Sequence, residues 1–365
     1  ERKAYYCYCS KEELEKERKV LEAKKIASKY SGKCRNLSPA QKKKFENEGR
    51  KGAIRLINPN KKVVFTDLIR GEISVDTSLF GDFVIARSDG SALLNFAATV
   101  DDIEMKISHA IRGEDFINMV PRQLLIFEAL EVQPPEFAHL SFLYAPDKTK
   151  LSKRHGATSV SEYREMGYLP EAMINYLGIL GYSMSDEREF FNLQDLIKDF
   201  DTKRVQKGMP IFSVDKLDWY NGNYIRRAQN SKLKTQIYEF LGRKYPEDLI
   251  GKTVPLIQER IKKLSDYMPL ASFFFEKPDE YEMDFKDKKS LLDKMSERLG
   301  NLTVWSAKEI GNEMQKLCNE LGLKTGEFFM ILRVAITGKK ISPPLNESME
   351  ILGKEEVLGR LNQVK

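Results

Sequence analysis

Short runs of β-branched and aromatic residues mark the first third of the chain, and apolar residues at helical spacing fill most of the remainder. The short runs predict strands over residues 3–9, 53–56, 62–67, 72–75 and 82–87. Ser10 with Glu13 forms a capping box, which predicts a charged helix through residue 29, and Ser38 before Pro39 predicts the start of a second helix. This part of the chain therefore has an α+β pattern.

The next segment has the pattern of a parallel sheet. Residues 107–111 predict a buried parallel strand, residues 121–129 the helix that follows it, and residues 137–144 the next strand. The first of these strands ends in the polar residues of 112–115. Because ligands of open α/β sheets bind at the carboxyl ends of the strands, we expect a site at this edge.

Helices dominate after residue 156. Apolar residues at helical spacing predict helices over residues 159–166 and 170–180, and then one amphipathic helix after another over residues 230–365. The core of this helical part is predicted to contain Trp305, Phe328, Phe329, Leu332 and Val334.

Composition narrows the class of protein. With 365 residues, 41% of them hydrophobic and 31% charged, the chain fits a globular protein of two or three domains. No apolar run approaches the length of a membrane span, and four cysteines are too few for a disulfide scaffold, so we expect a reducing cytoplasm. A net charge of +6 permits a polyanionic partner without requiring one.

The strongest candidate for chemistry is the basic segment formed by Lys150, Leu151, Ser152, Lys153 and Arg154. Three cations and a hydroxyl on a loop can neutralise the charge that builds up on a leaving pyrophosphate or triphosphate. A solvated run of charged residues is the alternative that this pattern leaves open.

Several short motifs, in a fixed order, resemble those of glutamyl-tRNA synthetase of the bacterial type, and the match runs along nearly the whole chain. The motifs are Ser88-Asp89-Gly90, Asn95-Phe96-Ala97, Val100-Asp101-Asp102, residues 111–115, residues 150–156 and Tyr168-Leu169-Pro170-Glu171-Ala172. Residues 65–71, 216–221 and 352–355 extend the resemblance. The basic segment looks like the second signature of class I aminoacyl-tRNA synthetases.

The resemblance implies a multi-domain protein, α/β plus all-α, with a Rossmann-type class I catalytic fold, an inserted α+β acceptor-binding domain and C-terminal helical anticodon-binding domains. The inserted acceptor-end domain with flanking catalytic segments is expected over residues 1–99, and the second half of the Rossmann domain over 100–135. A stem-contact region that carries the basic segment is expected over 136–228, and the two helical parts over 229–290 and 291–365.

The implied activity is that of a glutamate–tRNA ligase, in two steps. L-Glutamate and ATP, with Mg²⁺, give glutamyl-adenylate and pyrophosphate, and the glutamyl group then passes to the 3′ end of tRNA(Glu). Charge on the departing pyrophosphate needs cations nearby, so Lys150, Ser152, Lys153 and Arg154 are the predicted catalytic residues. Lys153 is the foremost of them.

Binding residues follow from the same resemblance. Arg112 is expected to capture the carboxylate of glutamate, a task that suits a guanidinium. Asp115 and Leu143, together with Lys153, are expected to lie against ATP, and Leu94 stands where the family usually has a tyrosine that reaches the amino acid. The alternative for Arg112 is a structural pair with Asp101, Asp102, Glu114 or Asp115.

Cys7, Cys9 and Cys34 resemble a zinc site that some members of the family carry in the inserted domain. Thiolates suit Zn²⁺, which takes four ligands in a structural site. The family's frequent fourth ligand, a histidine two residues after the third cysteine, is Asn36 here, and Tyr30 is the nearest substitute. Reduced thiols without a metal are the alternative.

The first class I signature, His-x-Gly-His, does not occur in the sequence. In the family this signature lies upstream of where the present chain begins, so we expect a part of a longer protein that does not aminoacylate by itself, with a catalytically inactive relative as the alternative. Two other hypotheses stay open, a non-enzymatic tRNA-binding relative and a non-discriminating enzyme that also charges tRNA(Gln). The helical C-terminal pattern argues against glutaminyl-tRNA synthetase, and a monomer is the simplest expectation.

Overall fold

The computed structural model describes residues 3–25, 29–156 and 159–364. The chain forms two compact units. The first comprises Glu1–Lys150, Gly178–Glu189 and Leu196–Phe212, and the second comprises Leu151–Leu177, Phe190–Asp195 and Ser213–Lys365. Within the described ranges, no helix has the length and apolar character needed to cross a membrane.

The strands of the described residues all lie in the first unit and form two sheets. They are β1 (Ala4–Cys7), β2 (Ala53–Leu56), β3 (Lys62–Asp67), β4 (Gly71–Asp76), β5 (Phe83–Ala86), β6 (His109–Gly113) and β7 (Glu136–Leu140). One sheet is antiparallel, in the order β1, β2, β5. The other has the order β4, β3, β7, β6, and in it β3, β7 and β6 run parallel.

Four helices accompany these sheets, and one of them packs against both. They are α1 (Lys11–Ala23), α2 (Pro39–Asn47), α3 (Leu94–Glu104) and α4 (Val120–Ala129). On α4, Leu125 and Ile126 pack in a cluster with residues of β2, β3 and β5, whereas Val120 and Phe127 pack in a cluster with residues of β3, β6 and β7. The burial of α4 therefore stabilises the position of each sheet.

The capping box expected at Ser10 is present, and the helix expected to start at Ser38 also begins there with a capping box, but several expected bounds were wrong. The helix expected through residue 29 ends at Ala23, and residues 26–28 lie outside the described residues. The strand expected through residue 144 ends at Leu140, because the Phe142 amide donates to the Glu114 side chain and the Tyr144 amide to the Pro210 carbonyl.

The strand expected over residues 107–111 is β6, and it is parallel to β7 as expected. It is not buried, since it lies at the edge of its sheet and Ile111 is 57% exposed. Asp101 and Asp102, of the Val100-Asp101-Asp102 motif, lie within α3.

The remaining helices form most of the second unit, although α6 and α7 also contain residues of the first. They are α5 (Val160–Glu165), α6 (Pro170–Gly181), α7 (Leu193–Asp199), α8 (Val214–Arg227), α9 (Asn230–Phe240), α10 (Glu247–Ile257), α11 (Tyr267–Phe275), α12 (Lys289–Gly300), α13 (Ala307–Glu320), α14 (Thr325–Thr337), α15 (Leu345–Leu352) and α16 (Lys354–Gln363).

Two apolar cores hold the helices of the second unit together, one around α9 to α11 and one within α12 to α16. The expected core residues Phe328, Leu332 and Val334 are fully buried in the latter, and Trp305 and Phe329 pack against it partly buried. The helical expectation for this part of the sequence is therefore confirmed.

The turn before α6 is fixed by a glycine. Gly167 has φ +85°, and its carbonyl accepts a hydrogen bond from the Leu264 amide at 2.9 Å. A Cβ at this position would lie 2.7 Å from the Ser265 nitrogen and 2.8 Å from the Leu264 nitrogen, so the backbone could not give way. Only glycine fits this close approach.

We predict that Gly167→Ala lowers the free energy of unfolding by at least about 3 kcal/mol, since steric overlap adds to the cost of a left-handed backbone. Gly322→Ala is the matched control, because Gly322 has φ +64° with nothing within 4 Å of its Cβ position. It should cost about 1 kcal/mol. Urea unfolding followed by circular dichroism measures both, and equal losses would contradict the argument.

Candidate active site and metal centre

Arg112, the expected glutamate-binding residue, lies near the end of the edge strand β6 and is paired. One guanidinium nitrogen donates to Asp102 Oδ2 at 2.7 Å, and another donates to Gln123 Oε1 at 3.0 Å. The Arg112 side chain is 19% exposed and that of Asp102 is 13% exposed. Of the pairings that the sequence left open, the structure contains the one with Asp102.

The two expected ATP-side residues follow β6 and β7. Asp115 is exposed in a 3-10 turn, Glu114–Met119, and Leu143 is half-buried in the segment after β7. The Asp115 carboxylate folds over the strand end, since its Oδ1 lies 2.8 Å from where a Cβ of Gly113 would be. Gly113 therefore makes room for the carboxylate.

Leu94 is the first residue of α3 and is 57% exposed. Asp102, the partner of Arg112, lies further along the same helix. At 1.5 Å per residue, Leu94 and Asp102 are about 12 Å apart along the helix axis.

An ion pair that the sequence did not reveal joins the segments after β3, β6 and β7. Arg70 donates to Glu114 Oε2 at 2.9 Å, to Ser141 Oγ at 2.8 Å and to the His139 carbonyl at 3.2 Å. Glu114 Oε1 in turn accepts from the Phe142 amide at 3.2 Å. The position of Arg70 just past the polar end of β3 was the available signal, by the same edge argument that predicted the site.

Beneath this ion pair lies a fully buried pair, Asp67 and His139. Asp67 Oδ2 is 2.6 Å from His139 Nδ1, and Asp67 Oδ1 accepts from the backbone amides of Ile69 and Arg70. Burial opposes ionisation of Asp67, but its hydrogen bonds from His139 and the backbone outweigh burial and lower the pKa of Asp67 below its ordinary value. His139 therefore acts here as a buried hydrogen-bond partner.

The basic segment crosses from one unit to the other between Lys150 and Leu151. Lys150 belongs to the first unit with Arg112, Asp115 and Leu143, and its Nζ lies 3.6 Å from the centroid of the Phe142 ring.

The rest of the basic segment belongs to the second unit. The Ser152 amide donates to His155 Nδ1 at 3.1 Å, which closes a short 3-10 turn, Lys153–His155. Lys153 and Arg154 are exposed on this turn, and Arg154 Nε is 3.3 Å from His155 Nε2. The turn thus presents two cations to solvent, as a phosphate-binding loop requires.

The structure brings the four expected metal ligands together. The sulfur atoms of Cys7, Cys9 and Cys34 all lie within 4.8 Å of one another, with Cys9 and Cys34 at 3.6 Å. The Tyr30 hydroxyl lies 3.4 Å from Cys7 Sγ and 3.5 Å from Cys9 Sγ. Asn36, which occupies the position of the family's frequent histidine ligand, is exposed.

This donor set fits a tetrahedral zinc ion. With zinc–sulfur bonds of about 2.3 Å and zinc–oxygen bonds of about 2.0 Å, the edges of such a tetrahedron measure about 3.8 Å between sulfurs and about 3.5 Å from sulfur to oxygen. The separations of 3.6 Å for Cys9 to Cys34 and 3.5 Å for Cys9 to Tyr30 agree with those edges.

The ligands have perturbed acidities. Burial raises the pKa of Cys9 to about 12, and burial also raises the pKa of the Tyr30 hydroxyl, to which the neighbouring thiols add. Burial would raise the pKa of Cys7 as well, but the Tyr30 hydroxyl and the nearby guanidinium of Arg55 lower it below its ordinary value. The site therefore contains one thiol that ionises more readily than its neighbours.

Two family models together span the chain. Residues 1–219 match the family described as tRNA synthetases class I (E and Q), catalytic domain. Residues 217–365 match a family described as anticodon binding domain. The fold and these matches define the class as the class I tRNA synthetases.

Curated relatives and solved structures narrow the class. The chain is 42% identical to glutamate–tRNA ligase 1 of Caldanaerobacter subterraneus, over 100% of this chain and 78% of the relative. It is 41% identical to glutamate–tRNA ligase of Carboxydothermus hydrogenoformans, over 98% and 78%. A crystal structure of a glutamate tRNA ligase from Elizabethkingia meningosepticum, in complex with its amino acid, matches with a TM-score of 0.84 and 30% identity, over 100% of this chain and 79% of that one. The chain therefore belongs to the glutamate–tRNA ligase family.

We predict that Asp67→Asn lowers the free energy of unfolding by about 3 kcal/mol near pH 7, because a buried charge-assisted network loses its anion. The pKa of Asp67 is lowered in the folded state from its ordinary 3.8, so its stabilisation is present at neutral pH and is lost as pH falls through the folded value. The difference between variant and wild type should therefore shrink as the pH falls below 3.8.

Asp101→Asn is the matched control for this prediction, since Asp101 is exposed on α3. It should change the free energy of unfolding by less than about 0.5 kcal/mol. Urea unfolding at several pH values checks both variants. A pH-independent loss in the Asp67 variant would show that packing, not charge, is responsible.

Proposed function

We propose that this chain carries the chemistry of glutamate–tRNA ligase: ATP-dependent activation of L-glutamate to glutamyl-adenylate, and transfer of the glutamyl group to the 3′ end of tRNA(Glu) in protein synthesis. The observation that carries the proposal is the identity of 42% to a glutamate–tRNA ligase over 100% of the chain. The basic segment Lys150 to Arg154, on the chain soon after the strand β7, gives it a chemical rationale.

In this proposal the basic segment receives negative charge from the departing pyrophosphate. Attack of a carboxylate on the α-phosphate of ATP moves charge onto the leaving group, and preplaced cations lower the free energy of that transition state. Lys153 and Arg154 are exposed, so a phosphate can reach both from solvent. Lys150 and Ser152 complete the set, and Mg²⁺ enters with ATP.

Arg112 is proposed to hold the carboxylate of glutamate, with Asp102 as its orienting partner. Their contact of 2.7 Å fixes one side of the guanidinium, so a bound carboxylate would share Arg112 with Asp102. Asp115 and Leu143 are proposed to line the ATP side. Leu94 brings no hydroxyl to the amino acid, which makes Arg112 the principal polar contact in this proposal.

The zinc proposal rests on Cys7, Cys9, Cys34 and Tyr30. These residues would hold a structural Zn²⁺, which would cross-link β1 to the segment of residues 29–36 without taking part in the reaction. The ion would stabilise the inserted acceptor-end domain.

Two alternatives are decided by assay. A non-enzymatic tRNA-binding relative is the first alternative, motivated by the absence of His-x-Gly-His from this sequence. ATP–pyrophosphate exchange by the intact gene product with tRNA present would eliminate it. Charging of tRNA(Gln) beside tRNA(Glu) would show a non-discriminating enzyme. We further propose a monomer that works in the cytoplasm, and the five-part domain division remains a prediction.

We predict that Lys153→Ala in the intact gene product slows glutamate-dependent ATP–pyrophosphate exchange at least about 100-fold, as expected for loss of one preorganised cation at the developing charge. Affinity for tRNA(Glu) should change less than about threefold, because few phosphate contacts are lost. Lys19→Ala, at an exposed lysine on α1, is the matched control and should leave exchange unchanged. Normal exchange in the Lys153 variant would refute the assigned role.

We predict that this chain, purified with zinc, retains about one Zn²⁺, and that Cys34→Ser abolishes retention while Tyr30→Phe weakens it. Elemental analysis after dialysis measures the zinc content. Cys318→Ser is the control, since Cys318 is buried in the helical core of the second unit. Retention of zinc by the Cys34 variant, or loss of zinc from the Cys318 variant, would contradict the assigned ligands.

A further inference from the structure

Arg55 is a buried cation without a carboxylate partner in the part of the chain that the structure describes. It lies on β2, paired with Tyr5 of β1, and is 7% exposed. Its Nη1 donates to the Asp82 carbonyl at 3.0 Å, and its Nε has no hydrogen-bond partner. Among the described residues, no carboxylate oxygen forms an ion pair with Arg55 within 4.0 Å.

Arg360 shows what a buried arginine in this chain otherwise receives. Arg360 is 2% exposed, and its Nε is 2.8 Å from Glu356 Oε1, while its other nitrogens donate to two backbone carbonyls. A buried guanidinium needs such compensation, because removal of a charge from water costs several kcal/mol. Arg55 lacks the anion that Arg360 has.

The buried carboxylate of Asp82, whose backbone carbonyl Arg55 bonds, accepts instead from the Tyr5 hydroxyl and the Asn58 amide. A metal bound by the neighbouring thiols would supply a further anion. The Arg55 guanidinium carbon lies 3.8 Å from the centroid of the Tyr30 ring, and Tyr30 touches the thiols of Cys7 and Cys9. Three neutral thiols carry no charge. When Zn²⁺ displaces their three protons to solvent, three thiolates, one divalent cation and a neutral phenol leave a net charge of −1 in a buried place.

We propose that Arg55 is the counter-cation of the metal-bound thiolates of Cys7, Cys9 and Cys34. This inference rests on the proposed zinc site and adds to it a positioning residue that touches no substrate. The +1 of Arg55 makes the loaded site neutral overall, and its guanidinium lies against the ring of Tyr30, the fourth ligand. The metal-bound state is thereby stabilised relative to the metal-free state, so Arg55 raises metal affinity.

The test is zinc affinity of the present chain, measured by competition with a colorimetric chelator. Arg55→Met should weaken zinc binding about 10- to 100-fold, the range for residues that support metal ligands. Arg55→Lys, which keeps the charge, should recover most of the affinity. Arg50→Met is the matched control, since Arg50 also lies over an aromatic ring, Phe45, at 4.9 Å, but pairs with surface carboxylates, and it should bind zinc within about twofold of wild type.

A second readout separates charge compensation from simple packing. Melting temperature is measured with and without zinc, and the rise on zinc addition should be smaller in Arg55→Met than in wild type, Arg55→Lys and Arg50→Met. A packing role predicts instead that the metal-free and zinc-loaded forms lose stability equally.

The outcomes are distinguishable. Zinc bound with equal affinity by wild type and Arg55→Met, or equally weak binding in the Lys and Met variants, would overturn the inference while leaving the metal ligands in place. Absence of zinc from wild type would overturn the zinc proposal together with the inference. If Arg55→Met does not fold, the zinc affinities of Arg55→Lys and wild type still test the inference. A lysine variant that binds zinc more than tenfold more weakly than wild type would refute a role based on charge.

Discussion

The ion pair between Arg70 and Glu114 is the contact on which the carboxyl edge of the parallel strands depends. Its partners come from segments that are distant along the chain. Arg70 also donates to Ser141, Glu114 also accepts from the Phe142 amide, and the buried Asp67 accepts from the backbone amide of Arg70. Both members are largely shielded from water, with side chains 20% and 25% exposed. The ends of β3, β6 and β7 are therefore fixed by mutually dependent polar contacts, and loss of one would leave the others unsatisfied.

Local sequence patterns were sufficient for most elements. Runs of β-branched and aromatic residues placed β2 and β3 at their observed bounds, and the capping box at Ser10 formed as the sequence indicated. The errors came from non-local causes. β7 ends early because Glu114, far back along the chain, captures the Phe142 amide, and the exposure of Ile111 follows from the edge position of β6. Neither property is present in the local periodicity.

The candidate sites show the same division. Resemblance to a family identified the cysteines and Tyr30, and the structure places their donor atoms together. Arg55 and Arg70 escaped notice, because in the sequence they are ordinary residues of a strand and a turn. Their importance arises from burial and from partners brought close by folding, as with Tyr30 against the guanidinium of Arg55. A charge is informative only once its solvent exposure is known.

Gly167 has a mechanical consequence. Its backbone lies in direct contact with that of Leu264 and Ser265, so the two segments cannot approach each other further. Asn221 links the same segments a second time, since it accepts a hydrogen bond from the Leu169 amide and donates one to the Lys262 carbonyl. We therefore expect the start of α6 and the chain before α11 to move together. A displacement of the chain before α11 would therefore be passed on to the Tyr168 to Ala172 motif at the start of α6.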